Sequence, residues 1–221
     1  NTKESILEAQ FTSGAGNWCT WMFGRDLVNW NNNFTWAKWV TPSRDLISAF
    51  KQEGDEVRFK ESIVYYDCNW SNYYPSDNYP FMYKCRSANS SIIKYRYADV
   101  LLLKAEALIM QDTPDLEGAA DIIDEVRDRA KLGALPTSVR SNKNVLLNAL
   151  LKERRLELAF EGQRWFDLVR LDKVEEVMNA VYAKDSGRKA QIYTFDKNSY
   201  RLPIPQSVID ANDKIHQNPG Y

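Results

Sequence analysis

Residues 151–170 read LKERRLELAFEGQRWFDLVR, a run dense in both charges and large apolar side chains. Glu153, Glu157 and Glu161 recur every four residues, so a helix here lines them along one face. Like charges stacked that way repel by about 0.2–0.5 kcal/mol per pair on an isolated helix. Cations must stand opposite them, and the nearest in sequence are Arg154, Arg155, Arg164 and Arg170. Gly162 is placed to close the first helix in a left-handed position. The chain then restarts as a second helix carrying Trp165, Phe166, Leu168, Val169 and Leu171. The stretch predicts two helices joined by a tight corner and locked by a partly buried arginine–carboxylate network.

The same run, from Glu153 to Arg170, resembles the signature of the SusD/RagB family. Two further stretches agree with it in order: residues 95–107, YRYADVLLLKAEA, and the closing Leu202-Pro203-Ile204-Pro205 with Gln217-Asn218-Pro219-Gly220-Tyr221. The resemblance is strong over the C-terminal part of the chain and looser over the first third. It implies a mainly α fold of tetratricopeptide-like helix pairs, with long irregular loops and a few short strands. It also implies a lipid-anchored glycan-binding protein on the outer-membrane surface of a Gram-negative bacterium. Its partners would be a glycan and a TonB-dependent, SusC-like transporter; the residues themselves call for no cofactor and no metal, a calcium site built from scattered loop carboxylates being the alternative they leave open. The chain opens Asn1-Thr2-Lys3-Glu4 with no initiator Met, cationic segment or apolar leader. Residues 1–221 are therefore expected to be one C-terminal SusD/RagB-type domain, whose helical-repeat N-terminal half and lipid anchor lie outside this sequence. Within it, residues 1–94 form a loop-rich aromatic region and residues 95–221 a helical one.

Composition fits a folded chain with a real core: 221 residues, 44% hydrophobic and 27% charged. A net charge of −1 without a basic block argues against nucleic acid as a partner. The most apolar run, residues 100–110, is broken by Lys104 and Glu106 and is too short to span a bilayer. Cys19, Cys68 and Cys85 lack metal-ligand spacing and read as isolated thiols, with a single Cys68–Cys85 bridge as the alternative. His216 is the single histidine, so no histidine-based metal cluster can be assembled, and no nucleophile motif surrounds any serine.

Taken in order, residues 5–12 read as a strand, and Ser43 caps a short helix that buries Leu46, Ile47 and Phe50. Residues 54–59 lead into a strand over 62–66. Residues 97–110 are helical, with Leu101, Ala105 and Leu108 on one side and Leu102 and Ile109 broadening it. Thr113-Pro114 is a helix start signal, and Ala119, Ile122, Ile123, Val126 and Ala130 follow at helical spacing. Helix, turn and helix over about 34 residues match one tetratricopeptide unit. A single unit cannot bury both faces, so the pair should leave an apolar face for its neighbours. Leu147, Leu150, Leu151 and Leu158 build the next helix. Residues 202–205 must be extended, since each proline excludes helix from its predecessor, and Ser207 can cap a last short helix.

Two constellations carry chemistry. Residues 18–39 and 69–83 are irregular and rich in Trp, Tyr and Asn. Indole faces stack on sugar rings while amides bond to hydroxyls. Trp21, Trp30, Trp36 and Trp70 are the first candidates for glycan contact, with Tyr74 and Asn32 as weaker ones; about half of the tryptophans should instead pack the core, Trp39 first. The competing constellation is the acidic run. A glycoside hydrolase could use two of Glu153, Glu157, Glu161 and Asp167. An arginine beside almost every acid argues otherwise, because such pairing lowers a carboxyl pKa that a catalytic acid needs raised. A third class, a helical-repeat scaffold for protein partners, would bind no free sugar.

Overall fold

The computed structural model describes residues 3–12, 41–68, 72–84, 91–184 and 194–221. The chain divides into two compact units, Asn1–Arg164 and Trp165–Tyr221. In the first, β1 (Ser5–Ala9) pairs antiparallel with β4 (Ile92–Arg96), with Ser5 opposite Arg96 and Ala9 opposite Ile92. The Tyr97 amide donates to Glu4 O at 2.8 Å, so the strand passes directly into a helix. That direct passage is why residues 92–96 do not announce themselves as a separate strand in the sequence.

The first helix, α1 (Arg44–Glu53), starts as expected: Ser43 Oγ accepts from the Leu46 amide at 3.1 Å, and Ile47 and Phe50 are buried. It ends at Gly54, whose φ of +69° is a conformation glycine adopts freely. Residues 54–59 differ from expectation. Asp55 accepts from the Arg58 amide and caps a second helix, α2 (Glu56–Ser62), ahead of β2 (Ile63–Tyr66). The stretch 69–83 also differs, since its last part is a strand, β3 (Tyr79–Met82), buried throughout and paired antiparallel with β2. Pro80 is tolerated because each strand of a two-stranded sheet is an edge.

Helices α3 (Tyr97–Met110), α4 (Leu116–Arg129) and α6 (Lys143–Glu157), with the short α5 (Thr137–Arg140) between the last two, enclose the main core. Leu102, Ala105, Ile109, Ala119, Ala120, Ile123, Val126, Leu146 and Leu150 fill it. The buried face of α3 centres on Leu102, Ala105 and Ile109; Leu101 and Leu108 sit at its margin. Ala105 of α3 and Ala119 and Ala120 of α4 allow the helix axes to approach closely. Asp115, accepting from the Gly118 amide, is the N-cap of α4, so Pro114 stands before the cap and not at the first helical position. A second cluster joins Ile47, Phe50 and Ile63 to Leu156 and Ala159.

The corner after α6 has the left-handed glycine expected, Gly162 at φ +81°. The helix itself stops earlier, at Glu157, and Phe160 also takes a positive φ of 66°. Glu161 is thus off the helix that carries Glu153 and Glu157.

The second unit begins within α7 (Arg164–Arg170) and holds α8 (Val174–Lys184), a 3-10 turn (Lys197–Tyr200) and α9 (Gln206–Ala211). Asn179 exchanges two 2.9 Å hydrogen bonds with the Phe195 backbone, and the rings of Trp165 and Tyr182 lie 6.4 and 5.3 Å from that of Phe195. Pro205, not Ser207, occupies the cap of α9. Residues 202–205 are extended, and the closing residues hold them. Gln217 accepts from Ile204 N at 2.8 Å and donates to Ile204 O at 2.9 Å, while Asn218 Nδ2 donates to Leu202 O at 2.7 Å. The two C-terminal motifs are therefore one structural device, an amide side chain acting as a strand partner. Gln217→Ala removes both bonds to Ile204, each worth about 1 kcal/mol. Hydrogen exchange at the Ile204 amide should accelerate roughly tenfold or more; unchanged exchange would show that the bonds hold nothing.

Candidate functional site

The residues that follow the first aromatic stretch meet the described part of the second. Residues 41–44 follow the first, and residues 72–79 belong to the second. Tyr74 OH donates to Pro42 O at 2.8 Å, and Thr41 Oγ1 lies 3.1 Å from the Tyr79 hydroxyl. Arg44, the first residue of α1, donates to Tyr73 O and places its guanidinium 4.0 Å from the Tyr73 ring centre and 4.5 Å from that of Tyr74. Each such cation–π contact contributes about 0.5–1 kcal/mol or more when shielded from water. Tyr74 meets Tyr73 and Tyr79 edge-on at 5.0 and 5.6 Å, and Tyr79 leans on Phe81 of β3 at 5.3 Å. Cys68, a free and buried thiol, completes this cluster. The hairpin of β2 and β3 thus holds residues 41–44 against residues 73, 74 and 79.

Tyr74 is part of that anchor: Arg44 takes its face, two tyrosines take its sides, and its hydroxyl is engaged. The other candidates, Trp21, Trp30, Trp36, Trp70 and Asn32, lie outside the described residues, as do Trp39, Cys19 and Cys85. Arg44 went unnoticed in the sequence, because nothing in its helix-start context signals that it spans two rings 29 and 30 residues away.

The acidic run forms a network, but with different arginines from those expected. Glu153 receives Arg58 at 2.6 Å on Oε1 and Arg127 at 3.3 Å on Oε2. Glu157 receives Arg58 at 3.0 Å on Oε2, and both Arg96 at 2.6 Å and Arg129 on Oε1. Glu161, brought round by the corner, takes a two-pronged contact from Arg96 at 2.7 and 3.0 Å and an ion pair from Lys84 at 2.5 Å. The arginines come from α2, β4 and α4, and Lys84 lies just after β3, all of them well removed from the run in sequence. The neighbouring arginines point elsewhere: Arg154 to Asp99 at 2.9 Å, Arg155 to Asp45 at 2.5 Å, Arg164 to Leu151 O at 3.0 Å and Arg170 to Asp167 at 2.7 Å. Arginines one residue from a glutamate leave the helix in another direction, so adjacency in sequence is not adjacency in space.

Burial and pairing push the two helical acids in opposite directions. Burial outweighs the two arginines at Glu153 and raises its pKa, whereas Arg96 and Arg129 overcome burial at Glu157 and hold it at about 2. Burial also lowers the ammonium pKa of Lys84, with Glu161 opposing that shift. A split pair of carboxyls is a pattern that hydrolases use. Here, however, the side chains of Glu153 and Glu157 are only 2% and 4% exposed, and an arginine occupies every carboxylate oxygen of the two. No oxygen is left to meet a glycosidic bond or its attacking water. A cleft of about 250 Å³ borders Glu157 and is lined also by Arg58, Glu61, Lys84, Arg96 and Arg129.

Residues 80–221 match the model of the SusD family, more than half of the chain, and the chain belongs to that family. Among curated relatives, SusD-like protein P2 of Formosa agariphila is 36% identical over 143 residues, which are 62% of this chain and 27% of that protein. SusD-like protein P38 of the same organism is 43% identical over 99 residues, 42% of this chain and 19% of that protein. Among solved structures, a laminarin-binding SusD-like protein shares 26% identity with a TM-score of 0.68, over 99% of this chain and 50% of that one. Surface glycan-binding protein A of Bacteroides thetaiotaomicron, solved with laminarihexaose, shares the fold at a TM-score of 0.73 and 19% identity, over 97% of this chain and 52% of that one. The chain thus spans about half the length of these solved proteins.

Two outcomes follow from the network. Glu157→Gln strands guanidinium charge in a buried site and should lower stability by about 3 kcal/mol, read as a fall in Tm. Glu157 ordinarily titrates near 4.3 and is held at about 2 in the fold. The stability it contributes is therefore full above about pH 5 and lost as pH falls toward 2. Urea unfolding of both proteins from pH 7 to pH 3 should show their difference narrowing toward acid. Glu153 shares Arg58 with Glu157 and has its pKa raised in part by the Glu157 charge, so its own slope is smaller in the variant. A difference independent of pH would count against this assignment.

Proposed function

We propose that this chain is the glycan-contacting part of a SusD-family protein at the surface of a Gram-negative outer membrane. It captures oligo- or polysaccharide through its aromatic loops and passes it to a TonB-dependent, SusC-like transporter. A lipid anchor outside this sequence would hold the protein to the membrane, and the helical-repeat half that its longer relatives leave room for would complete it. The observation that carries the reading is the contact between residues 41–44 and residues 73, 74 and 79. Tyr74 OH on Pro42 O, and Arg44 against Tyr73 and Tyr74, tie residues just after the first stretch to residues of the second. Six of the seven Trp in these 221 residues fall in the two stretches.

Trp21, Trp30, Trp36 and Trp70 are the proposed stacking surfaces, with Asn32 bonding sugar hydroxyls. Tyr74 serves as the pin that positions them. Binding, not bond cleavage, is the task, since the acids that a hydrolase would need are spent on arginines. Support for a glycan comes from the laminarin-binding relative at 26% identity, and laminarin is the first ligand to test.

Each stacked indole contributes on the order of 1 kcal/mol. Replacing Trp30 and Trp36 together by Ala should weaken binding at least tenfold with little change in Tm. Titration calorimetry of wild-type and variant full-length protein against a panel of oligosaccharides, laminarihexaose included, measures this. Equal affinities, or loss of binding only through unfolding, would refute the assignment.

A further inference from the structure

Two guanidiniums serve four carboxylates around Glu153. From α2, Arg58 Nη1 donates to Glu153 Oε1 at 2.6 Å and to Glu157 Oε2 at 3.0 Å, and its Nε donates to Asp55 at 2.5 Å. From α4, Arg127 Nη1 donates to Glu53 of α1 at 2.7 Å, and to Glu153 Oε2 at the longer distance of 3.3 Å. Each of the other three acids has a further donor. Lys152 pairs with Glu53, Arg96 of β4 and Arg129 of α4 pair with Glu157, and Asp55 accepts from the Arg58 amide at 3.1 Å. Among the described residues, Glu153 has no cation that it does not share. Its side chain is 2% exposed, so little solvent screens the crowding of acids.

Neutralising Glu153 therefore unpairs neither guanidinium. Arg58 keeps Asp55 and Glu157, and Arg127 keeps Glu53 and the Gly133 carbonyl, the latter at 2.9 Å. The repulsion between like charges one helical turn apart ends as well. Neutralising Glu157 has the opposite result: it leaves Arg129 with Glu4 alone, at 3.8 Å. We infer that Glu153 is the proton acceptor of this network, an acid placed so that the site can be acidified without letting go of α1, α2, α4 and α6. A proton from solvent goes to a Glu153 oxygen, the site loses one negative charge, and Glu53, Asp55 and Glu157 stay ionised and hold the four helices together. Burial, which raises the pKa of Glu153 against its two arginines, acts in the same direction. Because the two glutamates share Arg58, they titrate as a coupled pair in which the first proton goes to Glu153. The inference does not depend on what the aromatic loops bind.

In full-length protein with isotope-labelled glutamate carboxyls followed by NMR, the resonance missing from Glu153→Gln is that of Glu153. Its midpoint should lie above the ~4.3 of a free glutamate, and the resonance missing from Glu157→Gln should titrate well below it. At pH 7, Glu153→Gln should leave Tm unchanged or higher, whereas Glu157→Gln lowers it. The sign follows from the raised midpoint: an ionised Glu153 lowers stability at neutral pH, the neutral amide removes that effect, and any advantage of the variant should vanish as pH falls toward 4. A Glu153 midpoint at or below ~4.3 would overturn the inference. So would a Glu153→Gln variant that melts below wild type at pH 7 or fails to fold.

Discussion

The carboxylate of Glu157 is the interaction on which the rest of this structure depends. Removing an ionised carboxylate from water costs several kcal/mol unless charged partners replace the solvent. Here Arg58 of α2, Arg96 at the end of β4 and Arg129 at the end of α4 replace it. Four elements spread over a hundred residues of sequence are thereby held to one atom group. Arg96 Nη2 and Lys84 Nζ also donate to the Glu157 carbonyl, at 2.8 and 2.7 Å. They satisfy a helix end that would otherwise lack a partner and oppose its negative dipole. The repulsion between Glu153 and Glu157, one turn apart, is relieved by Arg58 Nη1, which donates to both.

A closed network of this kind gives specificity more than net stability, because a well-packed apolar replacement could be as stable. Its value lies in what a wrong arrangement would leave behind: unpaired charge in a dry place. The pairing of β1 with β4 brings Arg96 to the network, and the capping of α2 by Asp55, itself bonded to Arg58, brings the other guanidinium. Local choices of cap and register are thus enforced by the same acids.

The aromatic platform works on a different principle. Arg44 and the tyrosines of residues 73, 74 and 79 engage ring faces and hydroxyls in packing. A rigid hairpin that holds two segments distant in sequence brings their residues to one place.

Much of the fold was legible in the chain itself. Residues 97–110 and the apolar spacing from Ala119 to Ala130 declared their helices, since a 3.6-residue period needs no tertiary partner to be seen. Ser43 and Gly162 announced a cap and a left-handed corner. Helix α2 was hidden, because its seven residues carry mixed charge and its burial is decided by Arg58 reaching Glu153 and Glu157. Strand β3 was hidden by Pro75 and Pro80, which read as loop until a two-stranded pairing makes a proline harmless. That the acids of residues 153–161 required cations was determined by the sequence alone, from the repulsion of stacked charges. Which cations answered was decided only in three dimensions: a guanidinium's reach depends on the direction its backbone leaves the helix or strand, and that direction is set by packing.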